Sequence, residues 1–150
     1  MKRFLKIITF GLGRIVKWGC VAHMLFEHVA DVVILSGPSM EPTIVSNDVV
    51  IAEKISQKFK MLKKGDIVIA KSPRRPDQFI CKRIIAAEGS SDCKSWVPRG
   101  HVWLEGDNRS NSIDSRVYGP VPQGLIIGRV AVKVWPLGSA GFFNRQTSNV

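Results

Sequence analysis

The chain has 150 residues, enough for one domain with a real core, and its 45% hydrophobic content and eight prolines exclude a disordered protein. The net charge of +10 is unevenly placed: no acid precedes Glu27 and none follows Asp114, a balance that points to an anionic partner, membrane lipid or nucleic acid. Three cysteines, Cys20, Cys81 and Cys93, are odd in number and show no CxxC spacing, so free thiols are expected and neither a disulfide framework nor a metal site is.

Residues 1–31 read as a basic, membrane-associated or targeting helix. Arg3, Lys6, Arg14 and Lys17 fall near one side of it, and Leu5, Ile8, Leu12 and Ile15 near the other. An acid-poor, amphipathic N-terminus has the look of a mitochondrial targeting segment, although serine is scarce; a helix packing on its own domain is the plainer alternative. The apolar stretch that follows is broken by Glu27 and Asp31, so no run of about 18 uncharged apolar residues exists. An interfacial or marginally spanning helix is expected.

From residue 32 the signals are short and strand-like. β-branched or apolar runs at 31–35, 48–52, 67–70, 79–87, 101–104 and 125–134 alternate with Gly/Pro turns, with one helical turn near 55–59. This pattern predicts an all-β domain, sandwich or barrel, over 32–137, followed by a tail at 138–150.

The first strand runs into Ser36-Gly37-Pro38-Ser39-Met40-Glu41-Pro42-Thr43, where two prolines and a glycine rule out a helix interior or a central strand. A rigid turn therefore holds Ser39 at the end of a strand. A serine becomes a nucleophile only when something takes its proton. Two of the three histidines, His23 and His28, lie upstream of the folded part and leave only His101, which turns the search for a base toward lysine.

Lys82 and its neighbour Arg83 interrupt a strand that is otherwise apolar on both faces, and on a strand they point in opposite directions. A buried lysine without a carboxylate loses its proton, because desolvation disfavours the ammonium. Bringing a lysine from about 10.4 to about 8 asks for roughly 3 kcal/mol. The rival reading, favoured by this strand in isolation, is a sheet edge whose cations snorkel to water. The later polar stretch, 106–116, reads by composition as a surface loop in which Asp114 and Arg116 can pair.

Taken together, Ser39-Met40 with Pro42-Thr43, Lys82-Arg83, and Gly106-Asp107-Asn108 with Ser112, Asp114-Ser115-Arg116 and Gly119-Pro120 resemble the type I signal peptidase family, in the family's order and over most of residues 32–136. The likeness is to its mitochondrial branch. It implies a signal-peptidase-like β-fold, and the short gap from Lys82 to Gly106 implies that the large second domain of many bacterial members is absent. It also implies a serine endopeptidase with Ser39 as nucleophile and Lys82 as general base. Ser112 would orient the Lys82 amine, Asp114 and Arg116 would form a structural salt bridge, and the Ser39 N–H would bind the oxyanion. No metal or other cofactor is implied. The implied partners are precursor polypeptides, a membrane surface and a second, related catalytic subunit, with no nucleic acid. The implied location is the mitochondrial inner membrane, with the catalytic domain facing the intermembrane space, where it would remove sorting presequences. One departure stands out: bacterial members carry a hydroxyl residue two before the nucleophile as a second oxyanion donor, and this chain has Gly37. A basic β-barrel that binds nucleic acid and a self-cleaving Ser/Lys regulator are the rival functions. The first lacks interleaved aromatic and basic residues, and the second has no room for a DNA-reading domain.

Overall fold

The computed structural model describes residues 2–89 and 96–143. Cys93 and the last part of the expected tail, 144–150, lie outside the described residues. The chain begins with α1, Lys2–Val29, and passes without an intervening residue into β1, Ala30–Ile34. Among the described residues no helix is long and apolar enough to cross a membrane.

The rest is β2 (Val49–Glu53), β3 (Ile67–Lys71), β4 (Phe79–Ala86), β5 (His101–Glu105), β6 (Val121–Pro122), β7 (Ile126–Trp135) and β8 (Gly141–Phe142), with short helices α2 (Ile55–Lys58) and α3 (Ser115–Tyr118). The strands lie in the order β1-β2-β7-β3-β4-β5-β6, with β8 added to β7, and every pairing is antiparallel. The domain is all-β as expected, and no large second domain is present among the described residues. All six strands read from the sequence are there, with ends shifted by at most one residue. The segment read as a tail supplies β8.

The sheet curls because its ladders are interrupted. Register shifts occur where β7 meets β2 and β3 and where β4 meets β5, and such irregularities bend a strand and increase its twist. The curl covers both faces of β3. Ile67 and Ile69 pack with Met40, Ile44, Val50 and Val130, while Val68 and Ala70 pack on the other side with Ile84, Val102 and Leu104. The unbroken apolar run of β3 is the signature of a strand buried on both faces. Val50, Ile84 and Leu104 have no exposed surface, and each contributes on the order of 1.5–3 kcal/mol of transfer free energy.

Candidate active site

Ser39 is presented by a turn that its neighbours lock. The chain leaves β1 through Gly37, whose φ of 104° lies in the left-handed region that glycine enters without strain, and forms a 3₁₀ turn over Pro38–Met40. Met40 and Ile44, at 3% and 2% exposure, plug this segment into the core. The Leu35 N–H donates to Asp48 O and the Asn47 N–H to Leu35 O, closing the base of the loop. Ser39 between these anchors is half-buried.

β4 supplies the two cations. It runs between β3 and β5, although β5 pairs with it only from Arg83 onward, and the snorkelling reading fails because Lys82 and Arg83 are each 4% exposed. Lys82 stands opposite Val68, and Arg83 opposite Ile67, which places them on opposite faces. Arg83 is fully engaged. Its Nε and one terminal nitrogen donate to the two Asp107 oxygens at 2.8 and 2.6 Å, and the other terminal nitrogen donates to Gly65 O at 2.9 Å. The Thr43 hydroxyl donates to the same carboxylate at 2.6 Å. Bonds from Arg83 and Thr43 outweigh the effect of burial and hold the Asp107 carboxyl below its usual range. Lys82, by contrast, has no ion pair among the described residues. Burial pushes its amine down from the ordinary lysine value, and the Asp114 charge only partly restores it.

The loop after β5 ties these pieces together. The Asn108 N–H donates to Ser39 O at 3.1 Å. Only glycine fits at 106, since a Cβ there would overlap the Ser39 carbonyl oxygen and the Ser112 hydroxyl. Asp114, with no exposed surface, accepts from the Gly106 N–H at 3.0 Å, the Ser112 hydroxyl at 2.7 Å, and Arg116 Nε and a terminal nitrogen at 2.8 and 2.7 Å. Burial alone would raise this carboxyl; the donors, Arg116 foremost, reverse that and bring it to about 2. Asp114 also caps α3 by accepting the Arg116 N–H. The expected Asp114–Arg116 pair is therefore present, and the Ser112 proton goes to Asp114.

Ser39 and Lys82 line one cavity of about 540 Å³, together with the end of β1, Met40, Ile69 and the start of β4. Cys81 lies in its wall, with burial pushing its thiol up to about 12, which makes it a poor nucleophile. No histidine lines the cavity; the His101 ring bonds to Arg99 O instead. The sequence singled out Ser39, Lys82, Ser112, Asp114 and Arg116 but not the roles of Thr43, Arg83 and Asp107. The adjacency of two cations on an alternating strand was the available clue, since the cation facing away from Lys82 needs an acid of its own.

A family model for signal peptidase, peptidase S26, matches residues 7–93 and 88–135. The chain belongs to that family and is a serine peptidase of the signal-peptidase type. It is 54% identical over 145 residues to mitochondrial inner membrane protease subunit 1 of Homo sapiens, spanning 89% of this chain and 87% of the relative. The same subunit of Xenopus tropicalis is 52% identical over 144 residues, spanning 89% and 86%. Mitochondrial inner membrane protease subunit 2 of Danio rerio is 36% identical over 124 residues, spanning 75% and 68%.

Proposed function

We propose that Ser39 and Lys82 form a catalytic dyad that cuts sorting presequences from precursors delivered to the mitochondrial intermembrane space. The observation that carries this reading is the Lys82 amine, 4% exposed and without an ion pair among the described residues, in the wall of the cavity that Ser39 also lines. A neutral amine takes the Ser39 proton as the oxygen attacks the scissile carbonyl. The same amine then returns the proton to the leaving nitrogen, and water releases the acyl group by the reverse sequence. The Ser39 N–H serves the oxyanion. Ser112 has its proton committed to Asp114, so it offers only lone pairs elsewhere and is suited to accept from the amine and orient it.

A free stretch of backbone supports an extended substrate. β5 pairs with β4 only from Arg83 onward, which leaves Phe79–Lys82 without a neighbour on that side, and β1 is the outer strand of the sheet. Both flank the cavity, so a precursor segment can lie between them as an added strand. In this reading residues 1–31 attach the enzyme to the inner membrane and 32–137 work on its intermembrane-space side. Its relatives are named as subunits, and a second, related catalytic subunit completes the enzyme. The test is to incubate the purified chain with a sorted precursor and sequence the new N-terminus. One defined cut, absent with Ser39→Ala, is expected. Cleavage that survives Ser39→Ala, or salt-sensitive RNA binding without cleavage, would overturn the reading.

A further inference from the structure

The free stretch of β4 leads away from the candidate dyad into a basic turn. Strands β3 and β4 pair without a break from Ile67 opposite Arg83 to Lys71 opposite Phe79. Ile69 and Cys81 stand opposite one another, and both line the cavity. Side chains alternate along a strand, so the next pair on that face is Lys71 with Phe79, and Phe79 is itself part of the lining. Beyond this pair the chain reverses through residues 72–78. The Ser72 N–H donates to Gln78 O at 2.8 Å, the Gln78 N–H to Arg75 O at 2.9 Å and the Arg75 N–H to the Ser72 hydroxyl at 3.3 Å, which holds the turn in shape. Arg74 and Arg75 lie on it, exposed like Lys71. None of these three cations has an ion pair among the described residues, although Asp77 shares the turn. Among the described residues the cavity lining holds no carboxylate, and its one charged residue is Lys82.

We infer that Lys71, Arg74 and Arg75 form a docking patch for acidic residues of the precursor, so that substrates are selected by charge at a distance from the cut. The inference rests on the peptidase reading and on a precursor strand lying along residues 79–82. Such a strand advances about 3.3 Å per residue. With the scissile bond at Lys82, the fourth residue from the cut reaches Gln78, roughly 13 Å away, and residues four to six lie beside the turn. Whatever follows the free edge of β4 therefore meets three unpaired cations at its end, and carboxylates satisfy them. Each exposed pair contributes little by itself, but the three cations act together on one short segment. They lie away from the reacting atoms, so they act on docking and leave the chemical step alone.

The test takes the full chain and three peptides that span the cut defined with the sorted precursor. One is neutral, one has Glu at positions four to six before the cut, and one has Glu at positions four to six after it. The peptide whose Glu residues lie along β4 is expected to show a KM about tenfold below the neutral peptide with kcat unchanged, and the other to match the neutral peptide. The gain is expected to shrink in ~0.5 M salt. It is expected to vanish in the variant Lys71→Gln, Arg74→Gln, Arg75→Gln. It is expected to survive in Lys58→Gln, Lys60→Gln, Lys63→Gln, which removes the same charge from α2 and the loop after it. A gain on both sides of the cut, or one that both variants lose, overturns the inference, because the overall charge of +10 would then be its source. No gain for either acidic peptide, with the first variant instead losing binding to vesicles of anionic phospholipid, also overturns it and assigns the patch to headgroups. Equal KM for all three peptides, with cleavage abolished by Ser39→Ala, removes the patch and leaves the dyad standing. Cleavage that survives Ser39→Ala removes both.

Discussion

Lys82 on β4 and Lys133 on β7 are nearly equally hidden, at 4% and 8% exposure, yet their surroundings differ in kind. The Lys133 ammonium lies 2.5 Å from the Asp48 carboxylate, and that carboxylate also accepts the Val45 N–H at 2.9 Å. The pair fastens the loop that carries Ser39 to the long strand β7. Lys82 has no such partner among the described residues. The charge that acts on it most is Asp114, whose oxygens are already taken up by Gly106, Ser112 and Arg116. Even the adjacent Arg83 has a carboxylate to itself in Asp107. A cation removed from water needs either a partner or a way to lose its proton. The fold gives partners to the cations that hold it together and withholds one from the cation that lines the same cavity as the candidate nucleophile.

The sharpest way to break this contrast is to remove the reacting groups. Ser39→Ala and Lys82→Ala should each lower kcat/KM by roughly 10⁴- to 10⁶-fold, the range seen when one member of a catalytic unit is deleted. Circular dichroism and the thermal midpoint should stay near wild type. Turnover retained by Lys82→Ala at neutral pH would remove lysine from the mechanism. The pH profile comes next in size. The proton-free amine is the active form, so the rate should climb about tenfold per pH unit on the acid limb and level off as Lys82 deprotonates, below the ordinary lysine value of 10.5. A flat profile between about pH 6 and 9 contradicts a lysine base.

Stability should separate the two lysines in the opposite sense. Lys133→Met strands the buried Asp48 carboxylate and should cost about 3–5 kcal/mol, whereas Lys82→Met replaces an unpaired amine with an apolar chain and should be near neutral. Denaturant titrations of the two variants check this; equal losses would mean that Lys82 is also held by a partner. Asp114 gives a smaller acid-side effect. Its folded pKa of about 2 lies below the ordinary aspartate value of 3.8, so it stabilises the fold above the unfolded value. That contribution, roughly 2 kcal/mol, is lost as pH falls through the folded pKa. Acid unfolding of Asp114→Asn should lack that component.

How much of this the sequence disclosed depends on how local each cause is. The strands were legible because β-branched runs between Gly/Pro turns are a local signal, and β3 shows its double burial in four consecutive apolar residues. α3 was not, although Asp114 before it and Gly119 after it are cap residues, because four residues show no helical period. The two-residue strands β6 and β8 are too short for alternation to appear. The position of β4 inside the sheet was hidden for another reason. Lys82-Arg83 looks the same on an edge strand and on a central one, and Asp107, which lets Arg83 stay buried, is 24 residues away. Side chains that act within one turn, such as Asp114 with Arg116, could be paired by spacing; those joined across the sheet could not.

The smallest effect worth measuring concerns Thr43, which ties the Ser39 turn to the loop that binds its carbonyl. Its hydroxyl donates to Asp107 at 2.6 Å, and Asp107 precedes Asn108, whose N–H holds Ser39 O. Thr43→Val keeps the shape and removes the donor. Asp107 retains both bonds from Arg83, so no carboxylate is left bare, and the loss should fall near about 1.5 kcal/mol, the low end for a bond to a charged acceptor. If the bond also sets where Ser39 stands, kcat should fall about tenfold, the equivalent of about 1.4 kcal/mol in the barrier, with KM unchanged. Thr43→Ser should restore both. A variant that loses stability but keeps kcat would confine Thr43 to fastening, and would show that the paired cation Arg83 holds the turn in register without it.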